Sequence, residues 1–86
     1  MPDTGDRADV LLKLREVFDR VTDGRVTAAN LTEQAHVFDD LGLTSLELLE
    51  LRFELETVWN IELNDADAMQ MQTVKDVVDL ILARTA

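Results

Sequence analysis

Apolar residues recur at helical spacing in separate stretches of this sequence, and no alternation with polar ones runs long enough to mark a half-buried strand. Val10, Leu11, Leu14, Val17, Phe18 and Val21 fall on one face of a 3.6-residue period. That spacing predicts a helix over about Ala8–Val21, with Asp6 or Asp9 at its start and Asp23-Gly24 as its stop. A second helix is expected from Ser45 to Val58 or Trp59. Val74, Val77, Val78, Ile81 and Leu82 predict another over about Val74–Ala83, and Thr73 with Asp76 has the spacing of a weak capping box ahead of it. Asp65–Met69 is read as a short helix. The expected architecture is all-α, a small four-helix bundle of three main helices and one short one, in a single domain over 1–86 with a polar N-terminal tail at 1–7.

Between the first two helices, Thr22–Thr44 is polar with isolated apolar residues. It reads as a long connection with one short helical turn, held down by Leu31, Val37, Phe38 and Leu41. A structureless loop of this length is uncommon in a compact domain, so it either packs its own side chains or carries function. Asn60–Asn64 reads as an extended link with Ile61 and Leu63 pointing inward. In the second helix, Leu46, Leu49, Phe53 and Leu55 mix with Leu48, Leu51 and Val58 on more than one face, and Phe53 and Trp59 are assigned to the core. The acidic positions are sharper, since Glu47, Glu50 and Glu54 form one stripe. Glu50 and Glu54 are a like-charged pair one turn apart, costing an isolated helix roughly 0.2–0.5 kcal/mol. A chain that keeps such a pair either tolerates a small penalty or uses the stripe for docking.

Composition narrows the function classes. A domain of 86 residues buries roughly 60–65% of its unfolded surface, which leaves a thin core and argues against a deep, self-contained active site. Eight basic residues against eighteen acidic ones give a net charge of −10. Such a surface repels nucleic acid and anionic membrane and favours basic protein surfaces. The absence of cysteine excludes disulfides, thiolate metal sites and a cysteine nucleophile, and a single histidine, His36, excludes a multi-histidine metal centre. No apolar run approaches the length of a membrane span, and the polar, acidic N-terminus is unlike a signal peptide. A cytoplasmic protein is expected.

The segment Asp39-Asp40-Leu41-Gly42-Leu43-Thr44-Ser45-Leu46-Glu47 is the most informative. Gly42 permits a turn that a side chain would resist. Ser45 then lies at or beside a helix start, where two readings stand. It is either an N-cap, bonded to an amide two or three residues on, or an exposed hydroxyl placed where free amides and the helix dipole would stabilise a phosphate ester. Physical chemistry alone leaves both open.

The same segment resembles the attachment motif of acyl carrier proteins, Asp-Leu-Gly-x-Asp-Ser-Leu. Leu46-Glu-Leu-Leu-Glu-Leu51 resembles the recognition helix of that family. Trp59-Asn-Ile-Glu-Leu63 resembles its aromatic-x-Ile-x-Ile/Leu link, and Thr73-Val74 with Val77, Val78 and Leu80 resembles the opening of its last helix. The resemblance implies a four-helix acyl carrier fold without catalytic activity. Ser45 would receive 4′-phosphopantetheine from coenzyme A, transferred by a separate phosphopantetheinyl transferase. The thiol of that arm would hold acyl groups as thioesters, so the carrier needs no cysteine of its own. Thr44, Leu46, Glu47, Glu50 and Glu54 would form the face read by partners, including acyl-loading enzymes and ketosynthases with basic patches, and the carrier would be monomeric.

Two positions depart from the family pattern. Thr44 stands where the usual Asp precedes the serine, which removes a carboxylate near the site of transfer. Arg52 stands where the family more often has an apolar residue, and is expected to alter partner choice rather than folding. Leu41-Gly42-Leu43-Thr44-Ser45 differs from the Gly-Gly-x-Ser of peptidyl carriers and points to the acyl branch, and the Met1 start and short flanks suggest a discrete protein. Together with Thr44, that favours a carrier of a polyketide or related specialised pathway. A peptidyl carrier, an unmodified acidic adaptor with Ser45 as a plain cap, and a small hydrolase with Ser45 as nucleophile are the alternatives. His36, Asp40 and Ser45 do not match a hydrolytic motif, and Asp65 with Asp67 lacks the order of a calcium loop. Met69 and Met71 are read as adaptable packing, able to line a cleft if an acyl chain tucks between helices.

Overall fold

A computed structural model describes the backbone of residues 3–27 and 29–85 and the side chains of 7–27 and 29–85. Its helices are α1 (Asp3–Val21), α2 (Ser45–Trp59), α3 (Asp65–Met69) and α4 (Val74–Thr85). α1 packs against both α2 and α4, and α2 meets α4 more narrowly. The all-α expectation holds, and α2 and α3 keep the bounds expected of them.

α1 buries Val10, Leu14, Val17 and Phe18, the stripe that its spacing predicts. It begins earlier than expected, so residues 3–7 are helix rather than tail, and Asp6 and Asp9 sit inside the helix rather than at its cap. Residues 1 and 2 of the expected tail lie outside the described residues. An apolar period marks only the turns that are buried, and the first turns of α1 lie ahead of the core. Arg7 is the tie there, bonded to Glu33 of the first loop and, at 2.9 Å, to Asp79 of α4. The helix stops where expected. Buried Thr22 donates its hydroxyl to the Phe18 carbonyl at 2.6 Å and accepts from the Val26 amide at 3.2 Å, and Asp23 and Gly24 then reverse the chain at positive φ.

α4 opens with the expected reciprocal cap, Thr73 and Asp76 each accepting from the other's amide at 3.1 Å. It buries Val74, Val77, Val78, Leu80 and Ile81 and runs to Thr85, two residues past its predicted end. The side chains of Phe18, Leu14, Leu51, Leu55 and Ile81 are essentially sealed from water. Each contributes about 2 kcal/mol of transfer free energy, and together they anchor the bundle.

The first loop, 22–44, packs its own side chains: Val26, Leu31, Ala35, Val37, Leu41 and Leu43 are buried. It forms turns rather than a helix, the tightest over His36–Gly42, where Asp40 and Leu41 donate to the His36 carbonyl and Gly42 to that of Phe38. Phe38, expected to hold the loop down, is exposed. It lies on the outer side of that turn, between the inward-facing Val37 and Leu41. The loop is sewn to the approach of α4 by Val37 N–H to the Gln72 carbonyl (2.8 Å), Val74 N–H to Ala35 (3.0 Å) and Lys75 N–H to Glu33 (2.9 Å). A single antiparallel bridge, His36 to Thr73, lies within this seam.

α3 is positioned largely by polar ties. Asn64 and Asp67 form a second capping box, and Asp67 also accepts from Arg84 at 2.6 Å. Arg52 reaches from α2 to Asp65 (2.9 Å) and to the Leu63 carbonyl (2.6 Å). Arg52, expected to act on partner choice rather than folding, thus makes structural ties within the chain. Its position on α2 faces the Asn60–Asn64 link, and its guanidinium satisfies a backbone carbonyl that an apolar residue would leave unpaired.

Candidate functional site

The approach to α2 is set by one glycine and one buried leucine. Gly42 has φ +71, and a Cβ there would meet nothing within 4 Å, so its requirement is conformational rather than steric. Leu43 anchors the turn in the core, its amide donating to the Val37 carbonyl at 3.0 Å. Thr44 then takes an extended conformation and caps the helix. Its hydroxyl accepts from the Glu47 amide at 3.1 Å, and the Glu47 carboxylate accepts from the Thr44 amide at 3.1 Å.

That capping box leaves its neighbour outside the cap. Ser45 is the first helical residue and not the cap. It is exposed, and its hydroxyl makes no hydrogen bond among the described residues. The Glu47 and Leu48 amides are taken by the Thr44 hydroxyl and carbonyl, which leaves those of Ser45 and Leu46 as the first-turn donors without a protein acceptor. A hydroxyl so placed can be esterified without losing the cap or a core contact. Two free amides at the positive end of α2 suit the phosphate of such an ester.

Of the acidic stripe, two residues are already engaged. Arg25, at the start of the first loop, grips Glu47 with both terminal nitrogens, each at 2.7 Å, and also donates to the Gly42 carbonyl at 3.1 Å. The Glu47 side chain is only 15% exposed. Arg25, with help from the Thr44 amide, holds its carboxyl at about 2, far below the usual range. Glu54 accepts from Arg20 of α1 at 2.6 Å. Glu50 is exposed and has no ion-pair partner among the described residues. Neither arginine drew attention in the sequence. Its only signal was two cations flanking the end of the first helix in a strongly acidic chain.

The remaining face of α2 departs from expectation. Phe53, assigned to the core, is 57% exposed, as are Leu46 at 65% and Leu49 at 45%, while Leu51 and Leu55 are buried and Leu48 and Trp59 half-buried against the core. On the other side of the site, His36, Phe38, Leu48, Ala68, Met69, Met71 and Gln72 line an apolar cleft of about 440 Å³.

The hydrolytic arrangement finds no support in the geometry. His36 Nδ1 accepts from the Phe38 and Asp39 amides at 3.2 Å, and Asp40 accepts from the His36 amide at 2.7 Å. Both groups serve the turn, and neither bonds Ser45. Asp65 and Asp67 are paired with Arg52 and Arg84, and no cluster of three possible metal ligands occurs among the described residues.

Residues 10–81 match a family model described as the phosphopantetheine attachment site. The mitochondrial acyl carrier protein of Neurospora crassa is 40% identical over 67 residues, covering 78% of this chain and 47% of that protein. The acyl carrier protein of Syntrophobacter fumaroxidans is 41% identical over 56 residues, covering 65% of this chain and 69% of that protein. The chain thus spans about half the length of the first relative and about two thirds of the second. In fold it is similar to the crystal structure of an acyl carrier protein from Thermotoga maritima, at a TM-score of 0.80 and 19% identity over 96% of this chain and 94% of that one. It is also similar to the apo doublet acyl carrier protein from prodigiosin biosynthesis, at 0.79 and 23% over 98% of this chain and 40% of that one. With attachment motif, helix order and matched span all agreeing, this chain belongs to the acyl carrier proteins, the family of non-catalytic carriers that bear phosphopantetheine.

Proposed function

We propose that this chain carries acyl intermediates on a 4′-phosphopantetheine arm esterified to Ser45, in polyketide-type assembly. One observation carries the reading. Thr44 performs the capping that Ser45 would otherwise perform, and Ser45 keeps an exposed hydroxyl with no protein partner. Modification replaces the Ser45 O–H bond by an O–P bond, the proton being lost and 3′,5′-ADP leaving from coenzyme A. The arm supplies a thiol that the chain itself lacks, for thioester attachment.

The chain's own residues do the rest. The amides of Ser45 and Leu46, with the dipole of α2, stabilise an anion at the helix end. The Arg25–Glu47 clamp fixes the turn that presents Ser45. Tethering keeps the cargo at high effective concentration beside successive enzymes. The cleft lined by His36, Phe38, Met69 and Met71 offers an apolar refuge for part of that cargo. The polyketide assignment rests on Thr44, which keeps the cap but lacks the usual carboxylate, while Leu41-Gly42 in place of Gly-Gly favours an acyl over a peptidyl carrier. The partners in this reading are a phosphopantetheinyl transferase and acyl-loading and ketosynthase enzymes that approach along α2.

The test is intact-protein mass spectrometry after incubation with coenzyme A, magnesium and a broad-specificity phosphopantetheinyl transferase. One phosphopantetheine adduct on the parent and none on Ser45→Ala is the expected result. A folded parent that accepts no adduct from several transferases would overturn the reading.

A further inference from the structure

We infer that Arg52 makes this carrier selective for oxygenated cargo, its buried Nε–H donating to a carbonyl or hydroxyl oxygen of a chain lodged between α2 and α3. The inference rests on the reading that Ser45 carries acyl groups, and it specifies their chemistry.

Arg52 is placed to meet such a chain. At 100° per residue, Ser45, Leu48 and Arg52 fall within an arc of about 60° on α2, with Arg52 about 10 Å along the axis from Ser45. Leu48 lines the apolar cleft together with Ala68 and Met69 at the end of α3. One turn further along α2, Arg52 is tied to Asp65 at the start of α3. The cleft and the guanidinium thus occupy successive stretches of one groove. A chain that fills the cleft of about 440 Å³ and continues along α2 runs toward Arg52.

The guanidinium is only partly used. Nη1 donates to Asp65 at 2.9 Å and Nη2 to the Leu63 carbonyl at 2.6 Å, whereas Nε is sealed from solvent and has no partner among the described residues. The Asp65 side chain is 96% exposed and that of Arg52 only 20%, so the ion pair marks the outer end of the group and Nε the inner one. A buried donor left unpaired is costly, more so on a charged group, and calls for an acceptor. A ketone or hydroxyl on the cargo supplies one. A saturated chain in the same place leaves the N–H unpaired, and sites built around such a donor discriminate strongly against the analogue that lacks the oxygen.

The cleft carries a second donor. His36, which lines it, accepts the Phe38 and Asp39 amides at Nδ1, each at 3.2 Å. In the neutral ring the proton therefore sits on Nε2, which has no acceptor among the described residues. Apart from His36 and Gln72 the wall is apolar. Donors at two levels of an apolar groove suit a chain that is largely hydrocarbon but bears oxygens.

The test loads the full chain, with the broad-specificity transferase, from coenzyme A thioesters of octanoate and of its β-keto and δ-keto analogues. Heteronuclear NMR then follows the Arg52 Nε–H. A keto chain should shift that resonance and slow its exchange with water about tenfold, and octanoyl should do neither. Hydrolysis of each thioester, relative to the same thioester on free pantetheine, reads how firmly the groove holds the chain. At least one keto chain should be protected about tenfold more than octanoyl, the effect of one buried hydrogen bond to a charged group. Arg52→Met, similar in length but without a donor, should abolish that preference while every adduct still forms. The resonance of the parent keeps the test decisive where Arg52→Met loosens α3. An Nε–H unmoved by every keto chain, or equal protection of keto and saturated chains, would overturn the inference. So would a resident water that stays on the Nε–H beneath each chain, since the donor would then be satisfied without cargo. Absence of any adduct on the parent, or an adduct persisting on Ser45→Ala, would instead sink the proposed function.

Discussion

Replacing Thr44 by alanine should destabilise the protein, and replacing Ser45 by alanine should not. Thr44→Ala removes one hydrogen bond, the 3.1 Å contact from the Glu47 amide to the Thr44 hydroxyl. The reciprocal bond from the Thr44 amide to Glu47 survives, because it uses the backbone of residue 44. Water can reach the freed amide at this exposed position, so the cost should be about 1 kcal/mol, mid-range for loss of an N-cap. With about 2.1 cal/mol/K of unfolding entropy per residue, this chain has about 0.18 kcal/mol/K, and 1 kcal/mol lowers Tm by about 5–6 °C. Ser45→Ala removes a hydroxyl with no protein partner and improves helix propensity, so its Tm should stay within about 2 °C of the parent. Thr44→Asp keeps the acceptor and adds a favourable charge at the helix start, and should restore or exceed the parent Tm. Thermal and urea unfolding followed by circular dichroism would measure all three. If Ser45→Ala lost as much stability as Thr44→Ala, Ser45 would be the cap, and the argument that its hydroxyl is free for modification would fail.

Other outcomes follow from the same geometry. The Glu47 carboxyl sits at about 2, held down by Arg25, and those of Glu33 (by Arg7) and Asp79 (by Lys75 and Arg7) are also lowered. Depressed carboxyls stabilise the fold above their unfolded values, 4.5 for the two glutamates and 3.8 for Asp79, and that stability should drain away between about pH 4.5 and 2 in urea titrations. Arg25→Ala should shrink the loss, and a flat profile across that window would contradict the pairing. Gly42→Ala should cost about 1–2 kcal/mol through its left-handed backbone alone, since a Cβ meets nothing, and Gly42→Asn should be milder. Arg52→Ala should increase amide hydrogen exchange over residues 60–69 more than over α1 or α4. Uniform exchange changes would show that Arg52 does not hold the link.

The main helices were legible because each has a single buried stripe with a recognisable stop. The Asp23-Gly24 turn and the Thr73–Asp76 box behaved as written in the sequence. α2 was legible in extent but not in orientation, since Leu51 and Phe53 belong to opposite apolar stripes of equal period. Periodicity counts both stripes alike, and only the position of α1 and α4 decides which one is inside. The identity of the cap was left open for a similar reason. Thr44 and Ser45 are chemically equivalent caps, and the presence of Glu47 three residues after Thr44 was the available signal. Arg20, Arg25 and Arg52 were illegible as clamps because their partners lie 34, 22 and 13 residues away, beyond any local pattern. The early start of α1 went unread because its first turns precede the buried stripe.

The seam between the first loop and the approach to α4 makes assembly of this protein a question of order in time. The turn that presents Ser45 hangs from Val37 and Leu43, and Val37 is fastened to Gln72, a residue synthesised well after the serine. The chain around Ser45 therefore acquires its final shape only after the distant end has folded back over it, a contact of long sequence separation and correspondingly late closure. A chain ending before residue 72 should have α1 and α2 as nascent helices but a serine without a fixed surrounding, and should be a poor acceptor in the transferase assay. Loading should therefore follow closure of the seam onto the approach to α4.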